Sequence, residues 1–351
     1  MLRAWAPLFA LAAVIAALFL CEARAQPVTT AITGQFAGPD RPARLIAGAK
    51  KEGTVTVYSS ITLETMTPLV AAFEKKYGLK VDLWRGTAGD ILQRLSTETR
   101  GGRFTVDVVE GAAVDIAPLA RANLFQEVTS PLYADLMPGA VVKGRPWVSA
   151  RLSIFVAAYN TNQVKRVSLP KSYDDLAATK LGTRIGIEAG DANWLMAMAD
   201  AMGEARATKL MRDMGTTNGF SPRVGHTLMT NLIASGEVPF ALTVYSEAAE
   251  RLKRAGAPIE LLFLSPTIAM DNSAAVMKRA PHPYAAMLFF DFLLGDGQKY
   301  MTDDFYPSTN VKFQRPLPRG VTLTIMDVPK YLDQNAKWTK LYKEIVTPQA
   351  R

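Results

Sequence analysis

Thr54-Val55-Thr56-Val57-Tyr58 leads directly into Ser59-Ser60 and then into a segment, Thr62 to Tyr77, that carries Leu63, Met66, Val70 and Phe73 on one helical face. A run of β-branched and aromatic residues predicts a strand, and apolar residues three or four apart predict an amphipathic helix. The unit repeats at once. Lys80 to Trp84 reads as a second strand, Thr87 to Thr99 as its helix with Ile91, Leu92 and Leu95 inward, and Val106 to Val109 as a third strand. Strand and helix in alternation, with short glycine-bearing turns, is the pattern of an α/β fold on a mainly parallel sheet.

The same alternation resumes further on. Ala150 to Tyr159 is a long apolar segment, and a helix over Asp174–Lys180 precedes a short strand over Arg184–Ile187. Helices over Trp194–Met202, Ala207–Met214 and Thr227–Ser235 lead to a strand over Val238–Tyr245 and a helix over Glu247–Ala255. Leu261–Leu264 and Ser273–Met277 close the sheets, and Pro283–Leu294 is a strongly apolar helix. One sheet ends near residue 112 and a second begins near 184, which predicts two α/β lobes joined by crossing segments. The expected division is lobe 1 over 45–149 and 268–318 and lobe 2 over 150–267. A helical segment over 319–351 packs across both, and a mobile polar leader over 26–44 precedes them.

Composition narrows the chemistry. The 351 residues hold 40 Lys+Arg against 32 Asp+Glu, one Cys and two His. A single Cys excludes a disulfide framework and any multi-thiolate metal site, and two His leave little for a histidine-rich centre, so a metal would have to use oxygen ligands. The net charge of +8 is spread along the chain with no basic block, which argues against nucleic acid as a partner.

At the N-terminus, Arg3, an uncharged apolar run from Ala4 to Cys21, and Ala23-Arg24-Ala25 form the three parts of a secretory signal, with cleavage expected before Gln26. An uncleaved anchor and lipidation of Cys21 are the alternatives; Leu20 stands where a lipoprotein has a small residue. Cleavage would remove the only thiol and leave 38 basic against 31 acidic side chains, a net +7. The expectation is a soluble periplasmic protein.

Several segments carry a resemblance. Leu45-Ile46-Ala47-Gly48-Ala49-Lys50-Lys51-Glu52-Gly53 and Phe73-Glu74-Lys75-Lys76-Tyr77-Gly78-Leu79-Lys80-Val81 each lead into a strand. Ala234-Ser235-Gly236-Glu237, Ala280-Pro281-His282-Pro283, Phe290-Asp291-Phe292-Leu293-Leu294 and Tyr306-Pro307-Ser308 follow in order. Over roughly residues 45–312 the chain resembles the periplasmic substrate-binding proteins of ABC importers, in the ferric-iron-type branch that also takes phosphonates and other small organic solutes. The resemblance implies the two-lobed periplasmic-binding-protein fold (type 2), a ligand cleft between lobes that closes by hinge motion, and delivery of the solute to ABC permease subunits. A monomer with no resident cofactor is expected, Fe(III) entering only as transported ligand. Iron-binding members are similar in presenting adjacent tyrosines after the strand that here ends at Tyr245, with a His and a carboxylate from the other lobe in some. This chain has Tyr245 followed by Ser246, no His in Tyr58-Ser59-Ser60-Ile61-Thr62, and Glu110 or, two positions on, Ala112 near the family's carboxylate. If iron is the ligand, Tyr245 and Glu110 are its expected donors; an organic or phosphonate-type anion is the leading expectation.

Ligands of two-lobed α/β proteins sit beyond the carboxyl ends of strands, so the loops there supply the candidates. Ser59, Ser60 and Thr62 precede a helix start that favours an anion, or simply cap it. Arg85-Gly86-Thr87 offers a guanidinium fork beside a flexible glycine; a solvated surface Arg is its alternative. Asp191 and Asn193 either bind or cap, and Trp194 either stacks on a ligand or fills core. Arg223 and His226 stand before another helix, His226 being expected to stay neutral and donate, or to be an exposed structural residue. Arg151, a charge before an apolar run, is either a hinge salt bridge or a ligand contact. His282 and the methionines Met196, Met198 and Met202 read as structural. A secreted hydrolase or transferase on a similar fold is the competing class. Against it, G-x-S-x-G, H-E-x-x-H and P-loop patterns are absent, and the acidic pairs Asp174-Asp175 and Asp303-Asp304 are adjacent and point apart.

Overall fold

The computed structural model describes residues 35–347. The expected signal segment 1–25 and the leader over 26–34 lie outside the described residues. The remainder of the leader is not all leader: α1 (Arg41–Glu52) starts at Arg41, which is buried and bound to both carboxylate oxygens of Asp291.

The first α/β unit follows the sequence reading closely. β1 (Thr54–Ser59), α2 (Leu63–Tyr77), β2 (Lys80–Arg85), α3 (Ala88–Arg100), β3 (Val108–Ala112) and α4 (Ala113–Arg121) form a parallel β2-β1-β3 sheet. α10 (Pro283–Leu294) and α11 (Gln298–Asp303) complete this lobe, where Phe73 of α2 meets Phe289 and Phe292 of α10 edge-on at 5.0 and 5.4 Å. The second unit comprises α5 (Tyr173–Ala178), β5 (Ile185–Glu188), α6 (Ala192–Met202), α7 (Glu204–Asn218), β6 (Phe220–Arg223), α8 (His226–Ser235), β7 (Phe240–Tyr245), α9 (Ser246–Arg254) and β8 (Ile259–Leu262). Its core holds Trp194, Met196 and Met198, with Met202 packed against it, as their helical spacing implies.

The two sheets are not separate. β4 (Val148–Asn160) pairs antiparallel with β9 (Thr267–Val276) over its first half and with β7 and β8 over its second, and β9 in turn pairs with β3. The result is one hydrogen-bonded path, β2-β1-β3-β9-β4-β7-β5-β6, with β8 on β4 and β10 (Leu323–Ile325) on β9. At roughly 3.3 Å per residue a 13-residue strand is long enough to serve both lobes. All 13 residues of β4 are buried, and its ladder with β9 slips between Ser149 and Arg151. Such a bulge re-aims neighbouring side chains, and here the skipped residue is Ala150, immediately before Arg151.

α12 (Val328–Val346) bridges the lobes. Val328 packs on Ala113 and Ala117 of α4, while Trp338, Tyr342 and Ile345 enter the core of the second lobe. Among the described residues no helix is long and apolar enough to cross a membrane.

Candidate functional site

A cleft of about 600 Å³ opens between the lobes at the carboxyl ends of the strands. Its first wall comes from lobe 1. Ser60 and Thr62 follow β1, and Thr62 sits at the N-cap of α2 without a side-chain cap hydrogen bond. Arg85 lies exposed at the mouth. Thr87 also lines the cleft but is committed to α3, its hydroxyl accepting from Asp90 N at 3.2 Å while Asp90 accepts from Thr87 N. Gly86 does not reach the cleft; a Cβ there would come within 2.5 Å of the Trp84 ring, so its role is close packing. Ser59 is likewise buried behind the wall, donating to Glu110 at 2.8 Å.

Glu110 is not a cleft ligand. It is 1% exposed, and its carboxylate accepts from Arg151 Nε at 3.0 Å and from Ser59 Oγ, Ser60 N and Ser60 Oγ. With those donors in place it is the counter-ion of Arg151, and the expected Tyr245–Glu110 iron pair is not brought together. Arg151 forms this buried bridge and also lines the cleft, with Nη2 on Ser60 Oγ at 3.2 Å and its guanidinium 4.7 Å from the Tyr306 ring centroid. Burial opposes its charge, yet Glu110, Tyr306 and Glu247 hold its pKa above the ordinary value. Ser153, two residues along β4, donates to Glu247 of α9 at 2.9 Å, so the network runs from lobe 1 into lobe 2. Arg251, one turn beyond Glu247, bonds Asp304 Oδ1 through Nε at 2.9 Å and lies over the same tyrosine ring; its Nη2 is buried with no hydrogen-bond partner.

The second wall is acidic. Glu188 ends β5, and its carboxylate accepts from Gly225 N at 3.1 Å and from Gly190 N. Asp191 occupies the N-cap position of α6 but makes no side-chain cap bond, and its Oδ2 is buried without a partner. His226, first residue of α8, stacks on Tyr245 with ring centroids 3.7 Å apart, places Nδ1 3.0 Å from Thr243 O, and places Nε2 3.4 Å from Asp191 Oδ1. Burial disfavours the imidazolium, but Asp191 and then Glu188 outweigh it and raise the pKa. Tyr245 lines the cleft at the end of β7 as expected, and burial, reinforced by Asp191 and Glu247, pushes its hydroxyl well above the usual range. Asn193 lines the cleft too, donating to Met270 Sδ at 3.4 Å.

Two expected residues face elsewhere. Trp194 is 1% exposed and packs against Tyr173 with centroids 6.0 Å apart, filling core instead of stacking on a ligand. Arg223 lies outside the cleft, donating to Pro222 O and standing 3.9 Å from Glu237, because β6 turns its side chain away. Residues that sequence reasoning did not single out also line the cleft: Asp115, Ser153, Glu188, Glu247, Arg251, Tyr306, Tyr331 and Asn335. Burial pushes the Asp115 carboxyl up to about 6. Tyr306 stood in a recognisable Tyr-Pro-Ser segment and Glu188 at a strand end, but nothing local marked Asp115 or Arg251.

A family model for bacterial extracellular solute-binding proteins matches residues 55–306. Iron uptake protein A1 of Synechocystis sp. is 26% identical over 288 residues, 76% of this chain and 78% of that protein. Among solved structures, iron-bound HitA from Pseudomonas aeruginosa superposes with a TM-score of 0.70 at 21% identity, covering 83% of this chain and 99% of that one. AfuA from Actinobacillus pleuropneumoniae, with exogenous fructose-6-phosphate bound, superposes with a TM-score of 0.73 at 20% identity, covering 85% and 99%. At these identities the structural likeness establishes a shared two-lobed fold.

Proposed function

Since the chain belongs to the bacterial extracellular solute-binding proteins, we propose that its cleft captures a small anionic solute by closing the two lobes around it. The family supplies the solute-binding components of ABC transporters, which bind small ligands on the periplasmic side and work with permease subunits; the chain is a binding protein, and the hydrolase reading falls. Export through a cleaved leader over residues 1–25 and action as a monomer belong to the proposal.

One observation carries the anionic reading: three arginines, Arg85, Arg151 and Arg251, line the same cleft. The start of α2, without a side-chain cap, lies beside them. A guanidinium and a helix N-terminus both favour a carboxylate or phosphonate oxygen. β4 and β9, the strands shared by both lobes, provide the hinge, and the solute shifts the population toward the closed form that the permease engages. A thermal-shift screen against phosphonates, sulfonates, dicarboxylates, aromatic acids and Fe(III) tests this. At least one metal-free anion is expected to raise the Tm; stabilisation by neutral or cationic solutes alone would contradict the reading.

A second reading, ferric iron, is favoured by a specific feature: Tyr245, Tyr306 and Tyr331 all line the cleft, and the Synechocystis relative is named for iron uptake. It predicts a visible tyrosinate-to-metal charge-transfer band on adding Fe(III), lost in Tyr245→Phe. Burial disfavours the phenolates of Tyr245 and Tyr331, which is why iron stands second.

A further inference from the structure

We propose that Glu188, Asp191 and His226 form a binding site for one divalent transition-metal ion, of the zinc class, in the lobe 2 wall of the cleft. One donor atom from each residue lies within 4.8 Å of the others. Two donors placed ~2.0–2.1 Å from a tetrahedral zinc lie roughly 3.4 Å apart, and His226 Nε2 and Asp191 Oδ1 are separated by 3.4 Å. The hydrogen bond between His226 Nδ1 and Thr243 O assigns the proton to Nδ1, so the lone pair of the neutral ring is at Nε2, facing the carboxylates. That is the outer-shell arrangement of a metal-bound imidazole.

A second, independent observation points to a cation. The Asp191 side chain is 6% exposed, and its Oδ2 has no partner although it sits at a helix start where capping was available to it. A buried carboxylate oxygen left without a donor is costly, and a metal ion held by both oxygens of Asp191 would give Oδ2 its partner. Glu188 is held by two backbone N–H groups, and the same Thr243 whose carbonyl orients His226 accepts from Glu188 N through its hydroxyl at 3.1 Å, so one residue orients two of the three ligands. Thr243 does so with φ of +54°, a conformation rare for a β-branched residue. Three protein ligands with a remaining position open toward the cleft suit Zn²⁺ or its neighbours, and the set contains no phenolate, which separates it from the ferric reading.

The site shares the cleft with the anion reading but does not require it, and metal alone is therefore the probe. Tag-free protein freed of metal by chelation is titrated with ZnCl2 by calorimetry and with CoCl2 by visible spectroscopy. The expected result is one equivalent per chain, a four-coordinate Co(II) spectrum, and at least about tenfold weaker binding in both Asp191→Asn and His226→Gln. Asp191→Asn removes the uncompensated carboxylate, so it should keep or raise the Tm of the metal-free protein, and weakened metal binding in that variant cannot be ascribed to unfolding. Absence of stoichiometric Zn²⁺ and Co²⁺ uptake by the wild type would overturn the inference. So would uptake that both variants retain unchanged. Anion binding by the metal-free protein, measured separately, reports on the proposed function alone.

Discussion

Around the cleft, Arg85 comes from lobe 1, Arg151 from the shared strand β4 and Arg251 from α9, whereas one stretch of the lobe 2 wall gathers Glu188, Asp191 and a histidine drawn toward its protonated form. The difference lies in how each charge is held. Arg151, just after the bulge in a strand both lobes share, is held by Glu110, Ser60 and the Tyr306 face. Asp191 is held by less: one oxygen faces His226 and the other faces nothing. A wall whose charges are neutralised internally serves structure first, whereas a wall with an open valence is poised for a ligand. Arg251 is likewise paired, through Nε with Asp304 Oδ1, and reaches the cleft beside Tyr306.

The largest effect should come from breaking the frame. Arg151→Ala strands the buried Glu110 carboxylate and should cost about 3–5 kcal/mol of stability in urea denaturation, the range for removing one partner of a buried pair. A loss below about 1 kcal/mol would place Arg151 with the ligand groups. The next effect is at Asp115, half-buried in the cleft. Its raised pKa means that the folded state prefers the protonated acid, so its contribution favours folding at low pH and is lost as pH rises from about 4 to 6. Asp115→Asn should flatten that part of the stability–pH curve and stabilise the protein at pH 7 by ~1–2 kcal/mol, allowing for partial exposure. An unchanged curve would show the carboxyl to be solvated.

The smallest effect belongs to a pair far from the cleft. His282 places Nδ1 2.8 Å from Asp107 Oδ2, and this hydrogen bond is the main reason its pKa is raised. The stabilisation is fully present below the unfolded pKa of His and lost as pH rises through the folded value. His282→Gln should remove a contribution of less than about 1 kcal/mol, visible only as a shallower fall in stability above neutral pH. A steeper fall would contradict the assignment.

The repeating units were legible in sequence because they are local: β1 to α2 and β2 to α3 each declare their period within a few residues. The elements that depend on distant partners were not. β6, Phe220–Arg223, is four residues long and contains a proline, and α4 carries Pro118 in its interior, so each argues locally against what it forms. The single strand path was hidden for the same reason, since only pairing shows that β4 and β9 belong to both lobes. Among the cleft-lining residues, Asp191, His226 and Arg85 were singled out from strand ends and helix starts and Tyr245 from the family resemblance. Trp194 and Arg223 shared that local signature and were still misassigned, because orientation is decided by packing: Trp194 turns into a core and Arg223 away from the cleft. Arg251 gave no local signal; it reaches the cleft only because α9 lies beside Asp304 and Tyr306.

Calorimetric titration of the best anion from the thermal-shift screen, against Arg85→Ala and Arg223→Ala side by side, tests the capture of an anion in this cleft most directly. Both arginines end a strand ahead of a helix, but Arg85 lines the cleft and Arg223 does not. Arg85→Ala should weaken binding by ~1.5–3 kcal/mol, the range for a hydrogen bond to a charged group, and Arg223→Ala should leave it unchanged. Equal affinity in both variants, or a loss confined to Arg223→Ala, would contradict the account.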